Sequence, residues 1–176
     1  MSNSPRMKIR RLSWVVFVAA MAATVSAAAA EAEVYLARVT YVTDGDTLWV
    51  QPEDGSATRK LRLQGLDAPE ICQAGGDAAR SALRALVLEK RVQVRVRYHD
   101  DYGRGLAQIQ LGSQDVAATL VRTGHAWSYR WRSKLGPYAA EEAHARQAQL
   151  GLFATAQPES PRAFRKRHGP CAWLEP

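Results

Sequence analysis

Residues 34–64, VYLARVTYVTDGDTLWVQPEDGSATRKLRLQ, decide the fold. Val34 to Val42 is rich in β-branched and aromatic residues, and Asp46 to Gln51 repeats that character after a short break. Thr58 to Gln64 follows the turn-forming Pro52-Glu53-Asp54-Gly55-Ser56. Three strands joined by tight connections are the reading such stretches carry. In the third, Leu61 and Leu63 face one way and Lys60, Arg62 and Gln64 the other, so Arg62 projects off the apolar face.

Outward from this core the periodicity changes. Asp77 to Glu89 carries Ala79, Leu83, Leu86 and Val87 at helical spacing, with Asp77 where a helix N-terminus favours a carboxylate. Arg91 to Tyr98 alternates again, with Val92, Val94 and Val96 inward and Arg91, Gln93, Arg95 and Arg97 outward. Gly105 to Leu111 is a fifth strand. Asp115 to Thr123 is a short helix closed by Gly124, and Pro137 and Gly151 bracket a last one. Five short strands with a helix after the third predict an α+β fold, a five-stranded OB-like β-barrel with three helices. There are no internal repeats.

The ends divide differently. Arg6, Lys8, Arg10 and Arg11 precede an apolar run from Trp14 to Val25, too short for a membrane span, and Ser26 to Ala30 offers small residues for cleavage. Residues 1–30 therefore read as a secretory signal, residues 31–154 as the barrel domain, and residues 155–176 as an irregular basic tail. The chain of 176 residues carries a formal net charge of +7, from 24 basic and 17 acidic residues. Four of the basic residues and none of the acidic ones lie in the first 30, which leaves 20 against 17 and a mature charge of +3. That balance suits a polyanionic ligand without requiring one. The two cysteines, Cys72 and Cys171, read as a disulfide in an exported protein; without nearby histidines they make a poor zinc site.

The chemistry gathers in Asp44-Gly45-Asp46-Thr47 and in Arg62 to Glu70. Each alone is an ordinary turn. Together they place four carboxylates and a guanidinium close by, and clustered carboxylates repel unless a cation or water separates them. If the first and third strands are neighbours, Asp46 and Asp67 converge on one cation, and oxygen ligands favour Ca²⁺, Mg²⁺ or Mn²⁺ over zinc. Glu70, beyond the rigid Pro69, is a free carboxylate able to orient or deprotonate a water. Arg62 and Arg104 are phosphate clamps, because a planar fork matches phosphate oxygens. Gly103 gives the turn that presents Arg104. His99, His125 and His144 show no ligand spacing.

These motifs resemble the staphylococcal-nuclease-like, or thermonuclease, family. The matching text is Asp44-Gly45-Asp46-Thr47, Arg62 to Glu70, Tyr102-Gly103-Arg104-Gly105-Leu106-Ala107, and Leu120 to Trp127. Ala145-Arg146 and Gly151-Leu152-Phe153 fit the closing helix. The resemblance implies an exported Ca²⁺-dependent endonuclease on an OB barrel, cutting DNA and RNA on the 5′-oxygen side and leaving 3′-phosphates. It makes Asp46, Asp67 and the Ala68 backbone carbonyl metal ligands, Asp44 an outer-shell group, and Arg62, Glu70 and Arg104 catalytic. Single-stranded DNA and RNA are the expected substrates of a monomer, periplasmic or secreted, without stable membrane association after signal cleavage.

Two departures stand out. Asp101 occupies a usually basic position and lowers the positive potential beside Arg104. Arg130 and Arg132 align with tyrosines that contact the nucleotide in the family's best-known member. Trp127, Tyr129, Trp131 and Tyr102 are nearby aromatic candidates for base contacts. The alternative reading is an OB-fold nucleic-acid-binding protein with weak or lost catalysis; Arg62, Glu70 and Arg104 argue against it, since a pure binder has no need of Glu70.

Overall fold

Alternating side chains wind one sheet into a closed barrel. The computed structural model describes residues 32–130, 135–169 and 171. The long first strand, β1 (Glu33–Val42), pairs antiparallel with β2 (Thr47–Pro52) through its second half and with β5 (Arg91–His99) through its first. β2 pairs with β3 (Arg59–Leu63), and β5 with β6 (Gly105–Leu111). A parallel contact between β3 and β6 closes the ring in the order β3-β2-β1-β5-β6. Bulges in β1 at Val39/Tyr41 and in β5 at Val96/Tyr98 supply local bending. The interior holds Val39, Val42, Leu48, Val50, Leu61, Leu63, Val92, Val94 and Ile109; among them Leu61, Leu63, Val92 and Val94 share the faces that alternation gave them.

The predicted α+β barrel is therefore observed. One detail is corrected: β1 and β3 are not neighbours, because β2 lies between them. What brings Asp46 near Arg62 and Asp67 is the β2–β3 hairpin, with Thr47 opposite Arg62 and the Leu63 N–H donating to the Asp46 carbonyl at 2.8 Å.

Short elements complete the domain. After β3 come β4 (Leu66–Asp67) and α1 (Gly76–Val87), which buries Ala79, Leu83 and Val87. β7 (Gln114–Asp115) leads into α2 (Val116–Arg122), capped by the Asp115 carboxylate accepting from the Ala118 N–H. β8 (Trp127–Ser128) pairs with β4, placing Asp67 opposite Trp127. α3 (Ala139–Gln147) follows Pro137 as expected. Its buried Glu142 accepts from the Ser128 N–H at 3.0 Å and from Arg130 and Arg146, tying α3 to β8. A 3₁₀ turn, Gly151–Ala154, contributes Phe153 to a second cluster with Trp127 and Ala145.

The tail is not wholly irregular. It carries α4 (Pro161–His168), a fourth α-helix among the described residues where three were expected. Ser160 caps it by accepting from the Ala163 N–H, and Pro161 occupies the first turn. Pro161 and Phe164 are buried, and the expected Cys72–Cys171 disulfide ties the end of the tail back to the loop before α1. The proposed signal segment, Trp131 and Arg132 lie outside the described residues.

Candidate active site

The loop between β1 and β2 is folded by its own side chain. The Asp46 N–H donates to the Asp44 carboxylate at 2.9 Å, an Asx-type turn that closes the loop. Gly45 is needed there for space, since a Cβ would stand 2.7 Å from that of Ala79 and 2.8 Å from that of Ala68. The loop thus lies directly on Ala68 and the start of α1. Asp44, Asp46 and Asp67 are all buried.

Arg62 holds the acids together. Its Nη2 lies 2.7 Å from Asp46 Oδ2 and 3.2 Å from Asp67 Oδ1. The Thr47 hydroxyl donates to Asp46 Oδ1 at 2.8 Å. Arg104 enters from the start of β6, after a turn in which Gly103 has a φ of 75°. It is gripped by Asp100, whose Oδ2 accepts from Nε at 2.8 Å and pairs with Nη2 at 2.7 Å, while Oδ1 accepts the Tyr102 and Arg104 N–H groups. Asp101, the acidic residue singled out in the sequence, is exposed at the same turn.

Asp44, Asp46, Arg62, Ala68, Pro69, Glu70 and Arg104 surround one cavity of about 40 Å³. Since a water needs roughly 10–15 Å³ on this measure, the space suits an ion with a water or two. A second cavity, of about 660 Å³, lies beside it between α1, the 3₁₀ turn and the tail. Its wall is mostly apolar, with Trp127, Leu152 and Phe164, and its one acid–arginine pair, Glu159 with Arg167, is separate from Asp46, Asp67, Arg62 and Arg104, so the chemistry belongs to the small one.

Burial, and then the neighbouring Asp46 carboxylate, push the Asp44 carboxyl well above the ordinary carboxylate range. Burial raises Asp67 as well, against the pull of hydrogen bonds from Arg165.

Among the described residues no three His, Cys, Asp or Glu side chains gather by themselves as an ion site. The donor set still fits a hard cation: one cationic nitrogen, Arg62 Nη2, already reaches both Asp46 and Asp67, and carbonyl and water oxygens complete such shells. Asp46, Asp67 and the Ala68 carbonyl would hold the ion, with Asp44 behind Asp46.

The aromatic candidates are placed differently. Trp127 is buried and packs edge-on against Phe153, at 5.7 Å between ring centroids, so packing claims the face expected for bases. Tyr102 is 85% exposed with the Arg104 guanidinium 5.4 Å from its ring centre, and Tyr129 is also exposed. Arg130 pairs with Glu142 at 3.0 Å.

Thr47, Gln73 and Asp100 were given no role from sequence, and Arg165 was read only as one cation of the basic tail. Arg165, on α4, donates to Glu70 Oε1 at 2.7 Å and to both oxygens of Asp67 at 3.2 Å. The signal for its place was the cysteine pair, which brings the tail to a residue two positions from Glu70.

The sequence model described as "Staphylococcal nuclease homologue" matches residues 60–155, more than half of the chain. The chain belongs to this family. An "uncharacterized endonuclease" of Haemophilus influenzae is 33% identical over 130 residues, covering 74% of this chain and 72% of the relative. A micrococcal nuclease of Shigella flexneri is 33% identical over 141 residues, 73% of this chain and 79% of the relative. A staphylococcal-like nuclease of Arabidopsis thaliana is 35% identical over 107 residues, and there the chain spans only 33% of the relative. The staphylococcal nuclease match begins at Lys60 and ends at Thr155, so the Asp44–Asp46 loop and α4 both lie outside it.

Proposed function

We propose that this protein is an exported, Ca²⁺-dependent endonuclease that hydrolyses phosphodiester bonds of DNA and RNA. The observation that carries the reading is the convergence of Asp46 and Asp67 on one cationic nitrogen, with Glu70 and Arg104 on the wall of the same cavity. Homology to named nucleases supports the reaction class.

A bound Ca²⁺ supplies a Lewis acid for a phosphate oxygen. Arg62 and Arg104 then leave their carboxylate partners for the non-bridging oxygens, where charge grows as phosphorus becomes five-coordinate. Glu70 takes the proton of an attacking water. The water oxygen bonds to phosphorus as the phosphorus–5′-oxygen bond breaks, a 3′-phosphate remains, and the 5′-oxygen leaves with a proton taken from solvent. Single strands, whose backbone bends freely, are the preferred substrates. Export to the periplasm or beyond is supported by the leader pattern of residues 1–30 and by the Cys72–Cys171 bridge. The mature protein is a monomer without stable membrane attachment.

The test is degradation of single-stranded DNA and RNA with Ca²⁺ and with excess chelator. Cleavage with Ca²⁺ that stops in chelator is expected; undiminished cleavage in chelator rejects the metal mechanism. Binding without any cleavage restores the alternative of a catalytically silent OB-fold protein.

A further inference from the structure

We propose that Arg165 is a positioning residue of the active site, and that the disulfide-tied helix α4 exists in this chain to deliver it. The inference rests on the nuclease reading above. Arg165 lies beyond the residues that the family comparison matches.

One guanidinium grips two carboxylates. Nη1 donates to Glu70 Oε1 and Asp67 Oδ1, while Nη2 donates to Asp67 Oδ2. A planar fork shared in this way fixes the spacing of the two acids and their planes, which a point charge does not. It also offsets the repulsion between two anions three residues apart in the chain. The bond to Glu70 uses Oε1 and not Oε2.

The docking of α4 is built around Glu70. Buried Gln73 accepts the Glu70 N–H through Oε1 at 3.2 Å and donates from Nε2 to the Glu159 carbonyl of the tail at 2.7 Å. Cys72 carries the disulfide, and Phe164 and Pro161 are buried beneath the helix. The loop that carries the general base and the helix that carries Arg165 are therefore joined side by side. Other cations of α4 serve no such purpose: Arg162 and Lys166 are exposed, and Arg167 pairs with Glu159 in solvent.

The small cavity is bounded by Asp46, Arg62, Glu70 and Arg104 but not by Arg165. Arg165 touches Asp67 and Glu70 and, like Asp67, stands outside the lining of that cavity.

The test compares the full mature chain with Arg165→Gln and Arg165→Lys. Three quantities are measured: kcat and KM on single-stranded DNA with Ca²⁺, the thermal midpoint, and affinity for a short single strand in chelator. Groups that orient active-site ligands are worth about 10- to 100-fold, so Arg165→Gln should lower kcat by that factor with KM nearly unchanged. Arg165→Lys should recover part of the loss, and should report the role even if the Gln variant folds poorly. Binding in chelator should hold in both variants. Unchanged or higher turnover in Arg165→Gln overturns the proposal. So does weakened single-strand binding, which would make Arg165 a phosphate clamp, or a loss that tracks the thermal midpoint with no recovery by Lys. A wild-type protein inert with Ca²⁺ defeats the nuclease reading itself, and is recognised because all three proteins are then inert.

Discussion

Glu70 and Asp100 show how single carboxylates acquire roles from what they touch. Glu70 lies on the cavity wall with its Oε1 held by Arg165, and its backbone N–H is bound by Gln73. Glu70→Gln keeps the shape and one acceptor oxygen but removes the base. General-base contributions run to about 10²–10⁴-fold, and a fall in kcat of that size is expected, with the fold and single-strand binding intact. An unchanged rate removes Glu70 from proton transfer. Asp100 and Asp101 are adjacent and indistinguishable by composition. The turn at Gly103 sends Asp100 inward to take two backbone N–H groups and the Arg104 fork, while Asp101 stays in solvent. Asp100→Ala should lower kcat/KM by about 10-fold or more through misplacement of Arg104. Asp101→Ala should act only through long-range charge, lowering KM at low salt and fading as the Debye length shrinks below about 10 Å. Equal effects of the two substitutions would show that Asp100 does not set the position of Arg104.

Elements differ in how openly the sequence announces them. The strands were legible because period-two alternation in Lys60 to Gln64 and Arg91 to Arg97 is a strong, local signal of one buried face. The acidic loop was legible as a cluster, but its geometry was read through the wrong pair of strands. A strand's identity is local, whereas its neighbour is set by how the sheet closes. α4 was illegible for a related reason: only Pro161 and Phe164 are buried in a helix otherwise crowded with charge. No apolar stripe marks it, although Ser160-Pro161 is a start signal in retrospect. Trp127 illustrates ambiguity of type, since an aromatic that stacks on bases and one that packs on Phe153 read alike. The β8–α3 junction is the element whose strength can be measured. Glu142 is 1% exposed and satisfies the Ser128 N–H, with Arg130 and Arg146 as half-exposed partners. Glu142→Ala strands that buried N–H, while the arginines retreat to water. A cost of about 1–3 kcal/mol is expected from chemical denaturation with the m-value kept. Because β8 pairs with β4, which carries Asp67, Ca²⁺ binding should weaken in the same variant.

For the molecule as a whole, the disulfide links stability to the proposed chemistry. It closes a loop of 99 residues that takes in β5, β6 and helices α1 to α4 but leaves β1, β2 and β3 outside, so its loss frees the unfolded chain as much as it loosens the tail. Natural bridges of this kind are worth about 2–5 kcal/mol, and the Cys72→Ser/Cys171→Ser protein should lose a comparable amount. Entropy in the unfolded state alone would leave the rate of the folded enzyme untouched. The positioning of Arg165 by α4 gives a different expectation. Well below the unfolding transition, kcat should still fall, though less than in Arg165→Gln, because Gln73 and Phe164 continue to hold the helix. Groups that act as one unit do not add their losses. Adding Arg165→Gln to the cysteine-free protein should therefore cost no more turnover than Arg165→Gln costs by itself. Fully additive losses in that double-mutant cycle would show that the bridge and Arg165 act separately, and would reduce the tail to a staple for the barrel.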